Sequence, residues 1–226
     1  MKIIISDFDN TFFTENYINN IDYINSFVNR GNLFIIATGR SFESLNTEIK
    51  DYNIKYSYLI CSDGSAIYDN KNIPIYVNEI DKHCVKEGCL FINSNQGVYE
   101  AITEKVNNKV NSIVAIIKNR EQAQLLVSEI KEKLPLNVYL SEKHINVRNS
   151  NITKLSGILF LINQYNLNSE NIYTIGDGVN DIEMCNAFKS ITFDYGNEAL
   201  KSICNYIVLD FIAGVKKIET LFEMFL

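Results

Sequence analysis

Short apolar runs alternate with longer amphipathic stretches along most of this chain, and this alternation restricts the folds that it can adopt. The runs are rich in β-branched residues, which favours buried strands, and they lie at 2–7, 33–37, 58–61, 172–175, 191–193 and 206–209. The stretches between them repeat apolar residues at three- and four-residue steps, as in Ile18, Ile21 and Ile24, which predicts helices. Alternating strands and helices predict an α/β fold, a doubly wound and mostly parallel sheet with helices on both faces.

The middle of the chain has a different pattern and predicts a second, smaller α+β unit. Its expected elements are a helix around 82–90, a strand within 112–118, a helix at 121–134, and short strands at 137–140 and 145–148. We therefore expect a catalytic core formed by 1–78 and 151–226, with 79–150 inserted into it. A turn at 69–72 predicts a hairpin before the insert. The C-terminal apolar repeat from Val215 to Phe225 predicts a helix.

The charge balance argues against a nucleic-acid partner. The chain has 21 Lys and Arg against 27 Asp and Glu, a formal net charge of −6, and no basic cluster to displace counterions from phosphates. No apolar run approaches the roughly 18 residues that a membrane span needs. Five cysteines without paired spacing fit a reducing compartment, so we expect a cytoplasmic protein with no membrane partner. The sequence does not indicate an oligomeric state.

Two carboxylates, Asp7 and Asp9, follow the first predicted strand directly. Residues two apart on an extended chain point the same way, and the carboxyl ends of strands in an open α/β sheet form the ligand crevice. Asn10 comes next, where the chain must turn sharply, and Asn tolerates left-handed geometry. Taken alone, this Asp-x-Asp pattern is equally compatible with a capped loop before a helix.

The segment 176–181, Gly-Asp-Gly-Val-Asn-Asp, follows the strand predicted at 172–175 and is the most specific signal in the chain. Its glycines free the backbone, and Asp177 and Asp181 lie at a strand end and in the first turn of a helix. Carboxylate ligands in this arrangement suit Mg²⁺. The longer array of an EF-hand calcium loop, which ends in Glu, is missing.

Two weaker signals lie at predicted helix starts. Thr38 and Gly39 could form an anion seat from a hydroxyl and a backbone N–H, although Thr-Gly before a helix is also ordinary capping. Lys154 opens another helix, where a cation opposes the helix dipole unless an anion lies nearby.

In order, the four clusters resemble those of the haloacid dehalogenase (HAD) superfamily of phosphohydrolases, and the resemblance runs nearly end to end. The family's Asp-x-Asp-x-Thr motif matches 7–11, its Thr/Ser motif Thr38, its Lys motif Lys154, and its Gly-Asp-Gly-x-Asn-Asp motif 176–181. The segments 61–68 and 195–198 look like the Cof-like sugar-phosphatase branch, which has a class IIB cap. This chain has Asn10 where that branch commonly has Gly, and Asp63 where it often has Asn.

The resemblance implies a Rossmann-like core, an inserted cap, and a Mg²⁺-dependent phosphatase acting on a small-molecule phosphate monoester such as a sugar phosphate. It implies that Asp7 is the nucleophile and Asp9 the general acid and base. Asp7, the Asp9 carbonyl, Asp177 and Asp181 would hold the metal, and Thr38, Gly39, Lys154 and Asn180 the phosphoryl group. A phosphomutase or phosphotransferase on the same scaffold, or a non-catalytic protein that binds a phosphorylated ligand, remain alternatives. The sequence does not select the phosphate ester.

Overall fold

The computed structural model describes residues 1–223, which form two compact units. The first unit comprises Met1–Ile73 and the chain from Thr153 onward, and the second comprises Pro74–Ile152. The sequence places these boundaries at 78/79 and 150/151. Within the described residues, no helix has both the length and the apolar character needed to cross a membrane.

The first unit is built on a mostly parallel sheet. Its strands are β1 (Ile3–Ser6), β2 (Leu33–Ala37), β3 (Tyr58–Cys61), β4 (Ala66–Asp69), β10 (Ile172–Ile175), β11 (Lys189–Phe193) and β12 (Tyr206–Val208). They lie in the order β12-β11-β10-β1-β2-β3-β4, and β4 alone among them runs antiparallel to its neighbour. This sheet confirms the predicted α/β fold.

Helices pack against this sheet. Strands buried in this way need apolar residues at every position, which accounts for the continuous apolar runs in the sequence. They are α1 (Tyr17–Asn29), α2 (Phe42–Ile49), α5 (Lys154–Tyr165), α6 (Ile182–Ala187), α7 (Glu198–Lys201) and α8 (Phe211–Glu223). Helix α1 contacts α8, and α5 contacts α6. Ile3, Ile4 and Ile5 of β1 are all fully buried, as expected for a strand covered on both faces. The predicted C-terminal helix corresponds to α8, and Phe225 lies outside the described residues.

The second unit has an antiparallel sheet and two long helices. Its elements are β5 (Pro74–Val77), α3 (Lys82–Ser94), β6 (Ile102–Val106), β7 (Lys109–Ile116), α4 (Arg120–Lys133), β8 (Leu136–Leu140) and β9 (His144–Asn149). The sheet order is β6-β7-β9-β8. Ile113, Val138 and Val147 of the sheet pack with α3 and α4 in one apolar core. An α+β unit in the middle of the chain matches the sequence prediction.

Candidate active site

Asp7 and Asp9 leave the carboxyl end of β1, next to the end of β10. The Asp7 N–H donates to the Ile175 carbonyl at 2.9 Å, so the backbone of Asp7 still belongs to the sheet. Its carboxylate is almost entirely buried, whereas the Asp9 side chain is 45% exposed. Asn10 has a φ of +56°, the left-handed turn expected there, and its carbonyl accepts the Tyr195 hydroxyl at 3.0 Å. The chain therefore turns sharply directly after Asp9.

The Gly-Asp-Gly segment brings two further carboxylates to the same sheet edge. The Asp181 Oδ2 atom accepts the N–H groups of Asp177 (3.1 Å) and Gly178 (3.0 Å), which fixes the loop after β10. A Cβ atom at Gly176 would lie 2.6 Å from the Asp181 side chain, so only glycine fits this position. Thr11 donates to the Asp177 carboxylate at 2.8 Å and ties this loop to the one after β1.

Lys154 is the cation at the centre of this acidic group. Its Nζ atom lies 2.5 Å from Asp7 Oδ1 and 2.6 Å from Asp181 Oδ1, and its side chain is 1% exposed. Thr153 caps the helix in a reciprocal capping box with Ser156, so Lys154 begins α5. Burial lowers the pKa of Lys154, but Asp181 and Asp7 raise the pKa more, to well above its usual value. Lys154 is therefore charged at neutral pH.

The three carboxylates are not neutralised by Lys154 alone. Ligand oxygens of Asp7, Asp177 and Asp181 all lie within 4.8 Å of one another. Burial raises the pKa of Asp7 well above its usual value, against the lowering by Lys154, and burial also raises the pKa of Asp177. Such shifts mark buried negative charge that lacks enough compensation. Hard oxygen ligands with this unmet charge fit a divalent cation such as Mg²⁺.

The Thr-Gly segment lies at the end of β2, the strand beside β1. Ser6 pairs with Ile36, so Thr38 lies at the same sheet edge as Asp7. Thr38 is buried and its hydroxyl accepts the Arg40 N–H at 3.1 Å. The structure therefore places Thr38, Gly39 and the three acidic residues at adjacent strand ends.

Asn180 lies on the exposed side of the Gly-Asp-Gly loop and reaches the segment after β3. Its side-chain amide donates to Asp63 Oδ1 at 3.4 Å, a weak hydrogen bond. Asp63 is buried, has a φ of +54°, and donates its N–H to the Thr38 carbonyl at 2.9 Å. Asp63 thereby links the loops that carry Thr38 and Asn180.

Two residues of this site, Asp63 and Arg40, were not predicted from the sequence to be site residues. Asp63 joins two loops, and the Arg40 guanidinium binds both carboxylate oxygens of Asp9, at 2.8 and 2.7 Å. The sequence could have indicated these residues only by their position, because Asp63 follows the buried strand β3 and Arg40 follows the buried strand β2. Nothing in the local sequence indicates that Arg40 meets a residue 31 positions earlier.

Polar groups gathered at the ends of β1, β2 and β10 form an acidic crevice at the carboxyl edge of an α/β sheet, the position where proteins of this class bind their ligands. A model of haloacid dehalogenase-like hydrolases matches residues 4–105 and 91–211. The chain belongs to this family, which confirms the resemblance seen in the sequence. The protein is thus an enzyme, a phosphoric monoester hydrolase of the HAD-like type.

Individual relatives agree with this assignment. A protein of Buchnera aphidicola subsp. Baizongia pistaciae (strain Bp), named as a candidate phosphatase, is 27% identical over 223 residues, covering 80% of this chain and 82% of that protein. A haloacid dehalogenase-like hydrolase from B. subtilis has a TM-score of 0.83 at 17% identity, covering 97% of this chain and 99% of its own. A HAD subclass IIB sugar phosphatase has a TM-score of 0.78 at 19% identity, covering 99% of both chains. At these identities the two structures show the fold alone.

Proposed function

We propose that this enzyme is a Mg²⁺-dependent phosphatase that hydrolyses small-molecule phosphate monoesters, such as sugar phosphates, through a phosphorylated Asp7. The observation that carries the proposal is the arrangement of Asp7, Asp177 and Asp181 around the Lys154 ammonium at one sheet edge. A phosphate monoester is a dianion, and a site for it needs a nucleophile together with positive charge. A HAD subclass IIB sugar phosphatase has the same fold, which supports sugar phosphates as the proposed substrate class.

Asp7 is the proposed nucleophile because it is rigidly held. Its backbone is bonded to β10 and one carboxylate oxygen is bonded to Lys154, which orients the other. Attack on phosphorus forms an acyl phosphate on Asp7 and breaks the ester P–O bond. Asp9, two residues further and partly exposed, gives its proton to the leaving oxygen and then takes a proton from the water that hydrolyses the acyl phosphate.

The remaining site residues would hold charge in place. One oxygen of Asp7, the Asp9 carbonyl and Asp177 would bind Mg²⁺, and the ion would offset the negative charge of the phosphate. Both carboxylate oxygens of Asp181 already accept hydrogen bonds, one from Lys154 and the other from two backbone amides. This supports binding of the ion by Asp181 through a water molecule. Thr38, Gly39, Lys154 and Asn180 would bind the phosphoryl oxygens.

The second unit, 74–152, is proposed to act as the cap that selects the leaving group, and a cytoplasmic location stays a prediction from the sequence. The cap role follows from the family resemblance, and the location follows from the cysteine content and the lack of a long apolar run.

The proposal is tested by hydrolysis of p-nitrophenyl phosphate and a panel of sugar phosphates, with Mg²⁺ and with EDTA. We expect activity that EDTA abolishes and that Asp7→Asn lowers by at least about 10⁴-fold, as for loss of an attacking group. Asp22→Asn, an exposed position on α1, is the matched control and should retain activity. Wild-type activity unaffected by EDTA would refute the metal requirement, and an active Asp7→Asn enzyme would refute the covalent route.

A further inference from the structure

The Asp9 carboxylate is held by a two-point ion pair with Arg40. Arg40 Nε donates to Asp9 Oδ2 at 2.8 Å and Nη2 donates to Oδ1 at 2.7 Å. A guanidinium that binds both oxygens fixes the plane of the carboxylate as well as its distance. The Asp9 side chain is 45% exposed, so little other packing restricts its rotamer. The orientation of Asp9 therefore depends on Arg40.

Arg40 is itself firmly anchored. Nη1 donates to Glu48 Oε1 on α2 at 3.2 Å, and the guanidinium carbon lies 5.5 Å from the centre of the Phe8 ring. Its N–H donates to the Thr38 hydroxyl, and its carbonyl accepts the Ser62 N–H at 2.7 Å. These contacts come from helix α2 and from the segments after β1, β2 and β3. A side chain fixed in this way can hold the partly exposed Asp9 carboxylate in one place.

We propose that Arg40 is a positioning residue for Asp9, and that the enzyme needs it mainly for substrates whose leaving oxygen must be protonated. This inference rests on the proposed function. Asp9 is an ion-paired carboxylate in this structure, so in the proposed cycle it first takes up a proton from solvent and keeps one N–H contact from Arg40. In the first step the bond between an Asp7 oxygen and phosphorus forms, the ester P–O bond breaks, and this proton passes from Asp9 to the leaving oxygen to give an alcohol. An alkoxide cannot leave without that proton, whereas p-nitrophenolate is stable as an anion. In this first step, an error in the position of Asp9 should therefore slow alkyl esters far more than the aryl ester, whereas the later hydrolysis of the acyl phosphate is common to both.

A direct role of Arg40 in substrate binding predicts a different result. A guanidinium that contacts the phosphoryl group would affect alkyl and aryl esters alike, mainly through KM. Its loss would also still matter after Asp9 had been replaced. The two roles are thus separated by the choice of leaving group and by the Asp9 background.

The experiment compares Arg40→Met with wild type on p-nitrophenyl phosphate and on the sugar phosphate that the wild type hydrolyses fastest. Arg30→Met is the matched control, because Arg30 also pairs with a carboxylate of the first unit, Glu219, far along the chain from the site. The readout is release of the leaving group in a single turnover with enzyme in excess, which reports the first step and not the later hydrolysis of the acyl phosphate. We expect Arg40→Met to lower this rate about 10-fold or more for the sugar phosphate, part of what general acid catalysis supplies, and to change it about 3-fold or less for the aryl ester. KM should change little, and Arg30→Met should match wild type on both esters.

A double-mutant cycle completes the test. In the Asp9→Asn background, followed as single turnovers with enzyme in excess, Arg40→Met should have no further effect, because its partner is gone. If Arg40→Met does not fold, Arg40→Lys replaces it, since Lys keeps the charge and loses the two-point geometry.

The inference is overturned if the Arg40 variant behaves like Arg30→Met on the sugar phosphate. It is also overturned if both esters slow equally and the loss persists with Asn at position 9. A wild-type enzyme that hydrolyses no ester with Mg²⁺ contradicts the proposed function instead.

Discussion

Lys154 places a positive charge where the surrounding protein excludes water, and its side-chain hydrogen-bond partners among the described residues are two carboxylates. Its ammonium contacts Asp7 and Asp181 directly, and both partners are buried as well. Burying a charge is costly unless the charge is paired, and removing one partner leaves the others uncompensated. Lys154 therefore supports the fold of the site as well as the proposed binding of phosphate.

Lys154→Met should destabilise the metal-free protein by about 3 kcal/mol at neutral pH, the usual loss when a buried ion pair is broken. The facing carboxylates hold the folded-state pKa of Lys154 above 10.5, its usual value, so its stabilising effect is complete below that pH and declines only above it. Urea unfolding in EDTA at neutral pH measures the loss. Lys55→Met, at an exposed position of the same unit, is the control and should stay within about 0.5 kcal/mol of wild type. A Lys154 variant as stable as this control would contradict the argument.

At the scale of elements, the site depends on a close contact between the segment after β3 and the start of α5. Gly64 has a φ of +102°, and a Cβ atom there would lie 2.4 Å from the Thr153 carbonyl oxygen. Thr153 caps the helix that Lys154 begins. A side chain at position 64 would therefore push away the helix end that carries the buried ammonium.

Gly64→Ala should destabilise the protein by more than Gly31→Ala, and the difference measures this close contact. Both glycines have positive φ values, +102° and +83°, but a Cβ atom at Gly31 meets no other atom within 4 Å. Gly31→Ala should cost only the left-handed conformation, about 1–2 kcal/mol. For Gly64→Ala we expect a loss of at least about 3 kcal/mol, because the clash of the new Cβ atom with the Thr153 carbonyl adds to the cost of the left-handed conformation. Equal losses of unfolding free energy for the two variants would show that the helix end yields without cost.

Helices α1 and α8 are joined by a polar contact that should depend on pH. The Tyr23 hydroxyl donates to Glu219 at 2.8 Å, and burial together with this bond raises the pKa of Tyr23 to about 12 from 10.0. The unfolded chain then loses the Tyr23 proton before the folded one does. The stability that Tyr23 adds is therefore complete below pH 10 and is lost as the pH rises towards 12.

Comparison with Tyr23→Phe tests this contact. Below pH 10 the wild type should be more stable by about 1 kcal/mol, the usual net contribution of one hydrogen bond, because this bond is only partly buried. The difference, taken from urea unfolding at a series of alkaline pH values, should shrink as Tyr23 titrates. A difference that stays constant through this range would contradict the assigned role of Glu219.

The sequence predicted the strands and helices that have a clear pattern of apolar residues. It did not predict elements whose position depends on pairing with distant parts of the chain. β1 and β2 are recognisable because strands covered on both faces are continuously apolar. Strand β6 was missed because Ile-Thr-Glu-Lys-Val is an edge strand with mixed polarity, although Asn107 and Asn108, both with positive φ, mark the hairpin turn that follows it. Helix α3 continues to Ser94, beyond the predicted end near Leu90.

The same distinction holds in the candidate site. The carboxylates and Lys154 could be picked out because each directly follows a strand or begins a helix. The bonds of Arg40 to Asp9 and of Asp63 to Thr38 could not, because they join loops that only the assembled sheet brings together. Local pattern thus identifies the groups that react, and tertiary structure decides which groups orient them.

At the scale of the whole molecule, the proposed metal ligands all belong to one of the two units. Asp7, Asp177 and Asp181 lie in the first unit, although 170 positions separate the first two in the chain. The site is therefore formed only when both segments of that unit are folded together. A cation that binds these carboxylates stabilises the folded unit by mass action, because the unfolded chain has no such site.

Mg²⁺ should therefore slow hydrogen exchange in the first unit and leave the second nearly unchanged. At 100 times its Kd, the ion would stabilise the first unit by about 2.7 kcal/mol, which slows exchange through unfolding of that unit about 100-fold. The amides to follow are those of β1 and β10, with β7 and β9 as the internal comparison. Asp177→Asn should abolish the effect and exposed Asp22→Asn should retain it. If Mg²⁺ slows exchange equally in both units, or in neither, the ion does not bind at the carboxylates of the first unit alone.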